Sequence, residues 1–444
     1  MTLTTDLPPA PARRRSIPGW NGRAADPLAV DAQDRFALNA ARLAICALPI
    51  LLPQGPANLA PVDLFILAAM GSTLVWAAYT HSQLAMPYRL GVVTMVVAGT
   101  VSGLLGHWPG VAVLALLQDI FLLGWAAALA SLLHSAAAVA ALLRTWVWSA
   151  AAWGLVFVLS TSHTALAAGP DAKRVGFTFG DQNAAGLYFV VALLIMIASG
   201  RPRPRAARLV IGAVFLLATV YTGSLGAISG LLLATALALV LGVADRRGRA
   251  AAFAVAAGLI LATASITVLL QRSDLVAAAH ESPNPLIRNS LGREAQSSSE
   301  RAVLRGESFE LWRQSDVIGS GPATTKDVLY AAQAPYPKEA HNDWLATLIE
   351  RGALGAVGLL LLAGELVLRG HAAWARARTD TTFRAAVVRP GYLTGGLACV
   401  LAFSLTHEVL HDRTVWTLFG VLGAAAFAGR PTHPTKEEMT WRPS

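Results

Sequence analysis

The chain has 444 residues, 55% of them hydrophobic and only 14% charged, with a formal net charge of +9. Soluble globular domains run at about 45–50% apolar and about 25% charged residues. The composition therefore excludes a soluble enzyme, a disordered chain and a fibrous repeat. The apolar residues sit in long runs, such as 231–243, 250–270 and 353–368, the pattern of a polytopic α-helical membrane protein. The positive charge comes without a stacking-aromatic pattern or a basic recognition helix, so it is not a nucleic-acid footprint. Cys46 and Cys399 both fall in apolar spans, which argues against a disulfide framework and a Cys-based metal site.

Residues 1–35 are rich in Pro, Arg and Asp, lack an apolar core, and read as a cytoplasmic tail ahead of an uncleaved first span. A bilayer core needs about 20 apolar residues per helix. On that rule twelve spans are predicted: 36–54, 62–80, 89–106, 110–132, 143–162, 184–199, 207–222, 225–243, 250–270, 352–369, 389–406 and 413–429. Nine thus lie within 36–270 and three within 352–429. Residues 430–444 form a second cytoplasmic tail. With the N-terminus inside, most of the 35 basic residues fall on the cytoplasmic side, as the positive-inside bias requires. Both termini are then cytoplasmic. The polar segment 271–351 lies on the opposite face and breaks the rhythm of short loops. Its Phe309, Leu311, Trp312 and Trp344, with helical patterning around Arg301–Arg313, predict an ordered, partly helical subdomain. Asp63 and Asp119 are placed near span ends and Glu365 near the cytoplasmic end, so charge deep in the spans, the mark of a transporter, is scarce.

Five constellations carry possible chemistry. His341-Asn342-Asp343-Trp344-Leu345 opens a helix that continues to Glu350-Arg351-Gly352-Ala353-Leu354-Gly355 and an apolar span. A histidine there is placed to act as a general base, or to bond locally at the interface. Ser299-Glu300-Arg301 runs on to Trp312 and Gly319-Ser320-Gly321. Arginine presents a planar fork to phosphate oxygens, so Arg301 and Arg305 are candidates to hold a diphosphate, though Arg305 also suits a solvated helix face. Lys173-Arg174 precede Gly176…Phe179…Asn183 in the same outer layer and suit an anion. Thr222-Gly223-Ser224 makes a tight turn whose hydroxyls face a cavity or simply close a hairpin. Finally, His407-Glu408-Val409-Leu410-His411 matches the zinc-protease helix pattern, but spacing marks no third ligand.

The arginine, the Gly-x-Gly turn about twenty residues on, the His-Asn-x-x-Leu helix and its Glu-x-Gly-x-x-Gly ending together resemble the O-antigen ligase/polymerase family of bacterial envelope glycosyltransferases. Here these are Arg301, Gly319/Gly321, His341-Asn342 with Leu345, and Glu350-Gly352-Gly355. The stretch Arg174…Phe179…Asn183 resembles the family's upstream element. Where the family pattern reads Ser-Arg-Gly, this chain has Ser224-Leu225-Gly226. The resemblance implies a GT-C-type membrane fold and a periplasmic loop between spans 9 and 10. It also implies transfer of a glycan from an undecaprenyl-diphosphate carrier to an acceptor hydroxyl, without metal or other cofactor, at the inner membrane. His341 and Arg301 would be catalytic. Lys173, Arg174, Asn183, Ser224, Arg305 and Asn342 would bind the donor. An O-antigen ligase acting on lipid A–core is the leading expectation and a polysaccharide polymerase with a glycan-chain acceptor its rival. A zinc protease built on His407, Glu408 and His411, and a lipid or glycan transporter, are the readings outside this class.

Overall fold

The computed structural model describes residues 30–427 apart from 31–32, 55–57, 107, 169–175, 273, 283, 285–286, 289–293, 315–316 and 335–338. Lys173, Arg174 and both tails lie outside the described residues. Among the described residues the chain is all helical, with no strand. In chain order the helices are α1 (Arg35–Ala47), α2 (Pro61–Thr80), α3 (Arg89–Leu105), α4 (Pro109–Leu132), α5 (Ala136–Ala168), α6 (Gln182–Ser199), α7 (Arg205–Thr222) and α8 (Leu225–Arg247). They continue with α9 (Arg249–Arg272), α10 (Leu275–His280), α11 (Glu294–Gln314), α12 (Thr325–Ala331), α13 (Asp343–Thr379), α14 (Thr381–Ala386), α15 (Pro390–Phe403) and α16 (Arg413–Phe427).

Local chemistry sets many of the ends. α2, α4 and α15 begin with proline, whose fixed φ suits the first helical turn and whose missing N–H would have had no partner there. Asp181 caps α6 by accepting from the backbone N–H of Asn183 at 2.7 Å and of Ala184 at 2.8 Å. The left-handed Gly223 (φ +58°) ends α7, and the Ser224 hydroxyl then caps α8 by accepting from the Ala227 N–H at 3.3 Å.

Eight described helices are long and apolar enough to cross a membrane. Three expected spans are shorter as helices: α1 has 13 residues, α3 17 and α15 14. The apolar runs extend past the helix ends into turns, so hydropathy by itself overestimates helical length. The expected spans at 143–162 and 352–369 are in contrast parts of longer helices, α5 and α13. α9 packs on α8 and exposes Phe253, Ile260 and Leu261. A helix apolar all round that is left uncovered by protein is suited to lipid. The expected helical content of 271–351 is present as α10, α11, α12 and the first turns of α13.

α13 is two helices joined at Gly352, whose φ of +63° and ψ of −161° lie outside the helical region. Its longer half packs along α3, where a side chain on Gly358 would meet the Met95 backbone nitrogen at 2.8 Å. α15 packs on α8, and α16 on α4. Two ion pairs, one buried and one part-buried, cross this helical frame. Arg413 at the start of α16 forks onto Asp63 in the first turn of α2, at 2.7 and 3.0 Å. Arg351 binds Asp119 at 2.7 Å and the Met95 carbonyl at 3.3 Å. Asp119 is thus not near a helix end, as the sequence suggested. It sits midway along α4, where the cost of burying its charge is offset by Arg351 from the kinked helix.

Removing one partner of a buried pair strands the other charge. Arg413→Met is expected to lower unfolding stability by about 3–5 kcal/mol, read as the thermal midpoint in detergent. A loss under about 1 kcal/mol would show that the pair contributes little. Gly352→Ala is expected to cost more than about 2 kcal/mol, because a Cβ at that φ would run into the Val317 carbonyl. A wild-type midpoint in this variant would show that the kink is not required.

Candidate functional site

The first half of α13 is held at both ends by side chains that bond backbone. At its start the Asn342 Oδ1 accepts from the N–H of Trp344 at 2.9 Å and of Leu345 at 3.0 Å, an N-cap. The Asn342 amide donates to the Leu405 carbonyl at 2.8 Å. The Asp343 N–H donates to the Ser404 carbonyl at 3.0 Å, and the Trp344 indole to the Ser404 hydroxyl at 3.1 Å. In return the Asp343 carboxylate accepts from the N–H groups of Val409 at 3.1 Å and Leu410 at 3.3 Å. Residues 404–412, the connection from α15 to α16, are thereby fastened to the α13 start.

His341 stands just ahead of this cap with φ +49°, a left-handed conformation uncommon for a side-chain-bearing residue. Its N–H donates to the Glu408 Oε1 at 3.1 Å. The segment 407–411 is therefore a turn rather than the helix that the zinc-protease pattern requires, because Glu408 bonds backbone 67 residues away. The His407 ring stacks on Phe403 at 4.2 Å, and its Nδ1 lies 3.0 Å from the Thr406 hydroxyl. Among the described residues no group of three or more His, Cys, Asp or Glu is arranged to hold a metal ion.

At the other end of the same short helix, the Glu350 carboxylate accepts from the Ala323 N–H at 2.8 Å and the Thr325 hydroxyl at 2.7 Å. The Gly319–Gly321 turn adds Ser320 N–H to the Ile349 carbonyl and Gly321 N–H to the Glu350 carbonyl, both at 2.9 Å. Ala353 N–H closes the contact on the Val317 carbonyl at 2.9 Å. The Gly-x-Gly turn and the Glu-x-Gly ending, remote in sequence, are one interlocked unit.

Two neighbouring cavities open against this assembly. One, of about 340 Å³, is bordered by Arg351, Asp119, Lys326, Asp327 and Trp416. The other, of about 260 Å³, is bordered by His341, Asn183, Asp181, His407, Asp412 and Arg413. They share Asn58, Glu339, Glu408 and His411 as a common wall. Burial, reinforced by the nearby carboxylates of Glu350, Glu339 and Asp343, pushes the Glu408 carboxyl well above the usual carboxylate range. Burial likewise raises Asp412, opposed by bonds from Thr414.

The structure brings His341, Asn342 and Asn183 to this assembly, His341 and Asn183 in the walls of the smaller cavity and Asn342 as the N-cap of the helix that follows His341. Ser224 is fully buried as a helix cap and Arg305 is exposed on α11; neither borders the two cavities. Arg301 lies on α11, with its side chain outside the described ones. Sequence reasoning missed the part played by Glu408, which the zinc pattern masked, and the pairing of Asp119 with Arg351. A lone acid inside the apolar run 114–123 was the available signal for the latter.

No curated protein matches the chain. A family model described as O-antigen ligase matches residues 210–360, from the body of α7 to just beyond the Gly352 kink. That segment holds Arg301, the Gly319–Gly321 turn, His341-Asn342 and Glu350. The interlocked turns and capped helix at the two cavities are therefore part of the matched region, and over that segment, about a third of the chain, the protein is similar to the O-antigen ligase family.

Proposed function

We propose that this protein transfers a glycan from an undecaprenyl-diphosphate carrier to an acceptor hydroxyl at the periplasmic face of the inner membrane, as an O-antigen ligase acting on lipid A–core. The observation that carries the reading is the position of His341. It lies in the matched segment, in the wall of a cavity, with a left-handed backbone whose N–H donates to a carboxylate from another turn. A residue kept in a sparsely populated conformation and facing a cavity is a sound candidate for chemistry.

In this reading His341 removes the acceptor hydroxyl's proton as the oxygen attacks the anomeric carbon of the donor glycan. The bond from that carbon to the carrier diphosphate breaks, and the diphosphate departs with the electron pair. Arg301 offsets the charge that develops on it, with Lys173, Arg174 and Arg305 as further basic residues for the donor. Asn183, in the same cavity wall as His341, offers an amide to glycan hydroxyls. In this reading the charge on the leaving diphosphate is met by basic side chains rather than by a metal ion. Ser224 is withdrawn from the donor contacts expected of it, since its hydroxyl is spent inside the helix pair. Both termini are cytoplasmic in this arrangement, which places the α13 start on the outer face.

The test is reconstitution of the purified protein with a glycan-diphosphate-undecaprenyl donor, with and without lipid A–core. Product on lipid A–core supports the ligase; lengthened lipid-linked glycan made without it marks a polymerase instead. His341→Ala is expected to reduce turnover by at least about 100-fold, the scale of a lost general base, with the protein still folded and inserted. Arg301→Ala is expected to lose about 100-fold or more, the scale of a lost electrostatic contact to developing charge. Wild-type turnover in His341→Ala would overturn the assignment of the base.

A further inference from the structure

The carboxyl of Glu408 stands at an unusual place. It borders both cavities, and Glu339, His411, Asp343 and Glu350 face the same space. Of these acids, Asp343 is committed to the N–H groups of Val409 and Leu410, and Glu350 to Ala323 and Thr325. The Glu408 Oε1 instead accepts the N–H of His341 itself. The other bonds of the clamp, from Asn342, Asp343 and Trp344 to Ser404 and Leu405, hold the chain after His341. The bond to Glu408 acts on the residue whose φ is +49°. A left-handed non-glycine residue relaxes unless its surroundings hold it.

We propose that Glu408 is a positioning residue for His341: its carboxyl holds the base's backbone left-handed and so fixes where the imidazole meets the cavity. The proposal rests on the reading of His341 as the base. Glu408 touches neither the leaving diphosphate nor the attacking oxygen in this scheme. It accepts from an amide, a task that a carboxylate, a neutral carboxyl or a side-chain amide oxygen performs equally well. That separates it from a group that carries a proton in the reaction.

The experiment compares Glu408→Gln with Glu408→Ala in the full-length protein in nanodiscs, by two readouts. The first is kcat and KM in the transfer assay with the undecaprenyl-linked donor and lipid A–core. Glu408→Ala is expected to lower kcat by about 10–100-fold, the scale of a misplaced catalytic group, with both KM values within about twofold. Glu408→Gln is expected to keep more than about a third of kcat, since its oxygen still accepts the amide. The second readout is hydrogen exchange of the peptide spanning 340–346, which needs no turnover. Exchange is expected to quicken by about tenfold or more in Glu408→Ala and to stay near wild type in Glu408→Gln, as removal of one hydrogen-bond acceptor implies.

Wild-type exchange in Glu408→Ala would overturn the proposal whatever the activity. So would an equal fall of kcat in both variants, which would make Glu408 a proton carrier rather than a positioner. Should Glu408→Ala fail to insert, Glu408→Gln decides by itself: loss of protection at 340–346 or loss of most of kcat overturns the proposal. If exchange behaves as expected while His341→Ala stays fully active, the positioning holds and it is the assignment of the base that falls.

Discussion

The backbone N–H groups of Val409 and Leu410 point into the carboxylate of Asp343, and the N–H of His341 into that of Glu408. The N–H groups of Ala323 and Thr325 meet Glu350 in the same way. The constraint behind all three is that a backbone N–H in a non-helical segment has no partner in a preceding helical turn and must find an acceptor elsewhere. Each orphaned amide costs about 1–3 kcal/mol if left buried and unpaired. The chain meets that cost with acids from remote segments, and the positions of the turns follow from it. The chain just after the Gly319–Gly321 turn, the His341 turn and the 404–412 connection are each held by a carboxylate at or beside one short helix, residues 343–351, while the Gly319–Gly321 turn itself bonds the carbonyls of Ile349 and Glu350.

This solution has an electrostatic consequence. Asp343, Glu350, Glu408 and Glu339 crowd one region, with Arg351 close by and already engaged by Asp119. Carboxylates that share a low-dielectric space oppose one another's ionisation. Burial displaces Glu408 upward, and this crowding adds to it. Accepting backbone hydrogen bonds remains possible in either protonation state, so the clamp does not depend on every acid being charged. Acids border both cavities, Asp343 and Glu350 the larger one, Asp181 and Asp412 the smaller, with Glu339 and Glu408 in the wall they share.

The kink at Gly352 is the second organising element. A straight helix from 343 to 379 would carry its first turns out along the axis of the longer half. The break at Gly352 turns residues 343–351 onto Val317 and the Gly319–Gly321 turn, so that Arg351 faces Asp119 of α4 while Glu350 faces α12. One glycine thus couples the register of the long helix to the geometry of the site. The pairing of Arg413 with Asp63 does the same for the start of α16 and seats the 404–412 connection from its far side.

The helical class of the chain and its suitability for a membrane were legible in the sequence, because long apolar runs and a low density of charge are local properties that any fold must respect. The helix that opens after His341-Asn342 and runs to Glu350-Gly352 was legible too. The spacing of these residues along one helix is again local, and Asn342 behaves as the N-cap its residue type favours. Helix length was less legible, since α1 and α15 stop in turns rather than where hydrophobicity ends. Ser224 looked free in the sequence and is buried as a cap. Glu408 looked like part of a zinc helix and instead holds the backbone of His341. Asp119 looked peripheral and lies mid-helix against Arg351. In each case the partner is decided by packing between distant segments: 67 residues separate His341 from Glu408. The sequence by itself determined which stretches are helical and which side chains have the chemistry for a site. Only the tertiary structure decided which buried amide each carboxylate satisfies, because that depends on which segments meet in space.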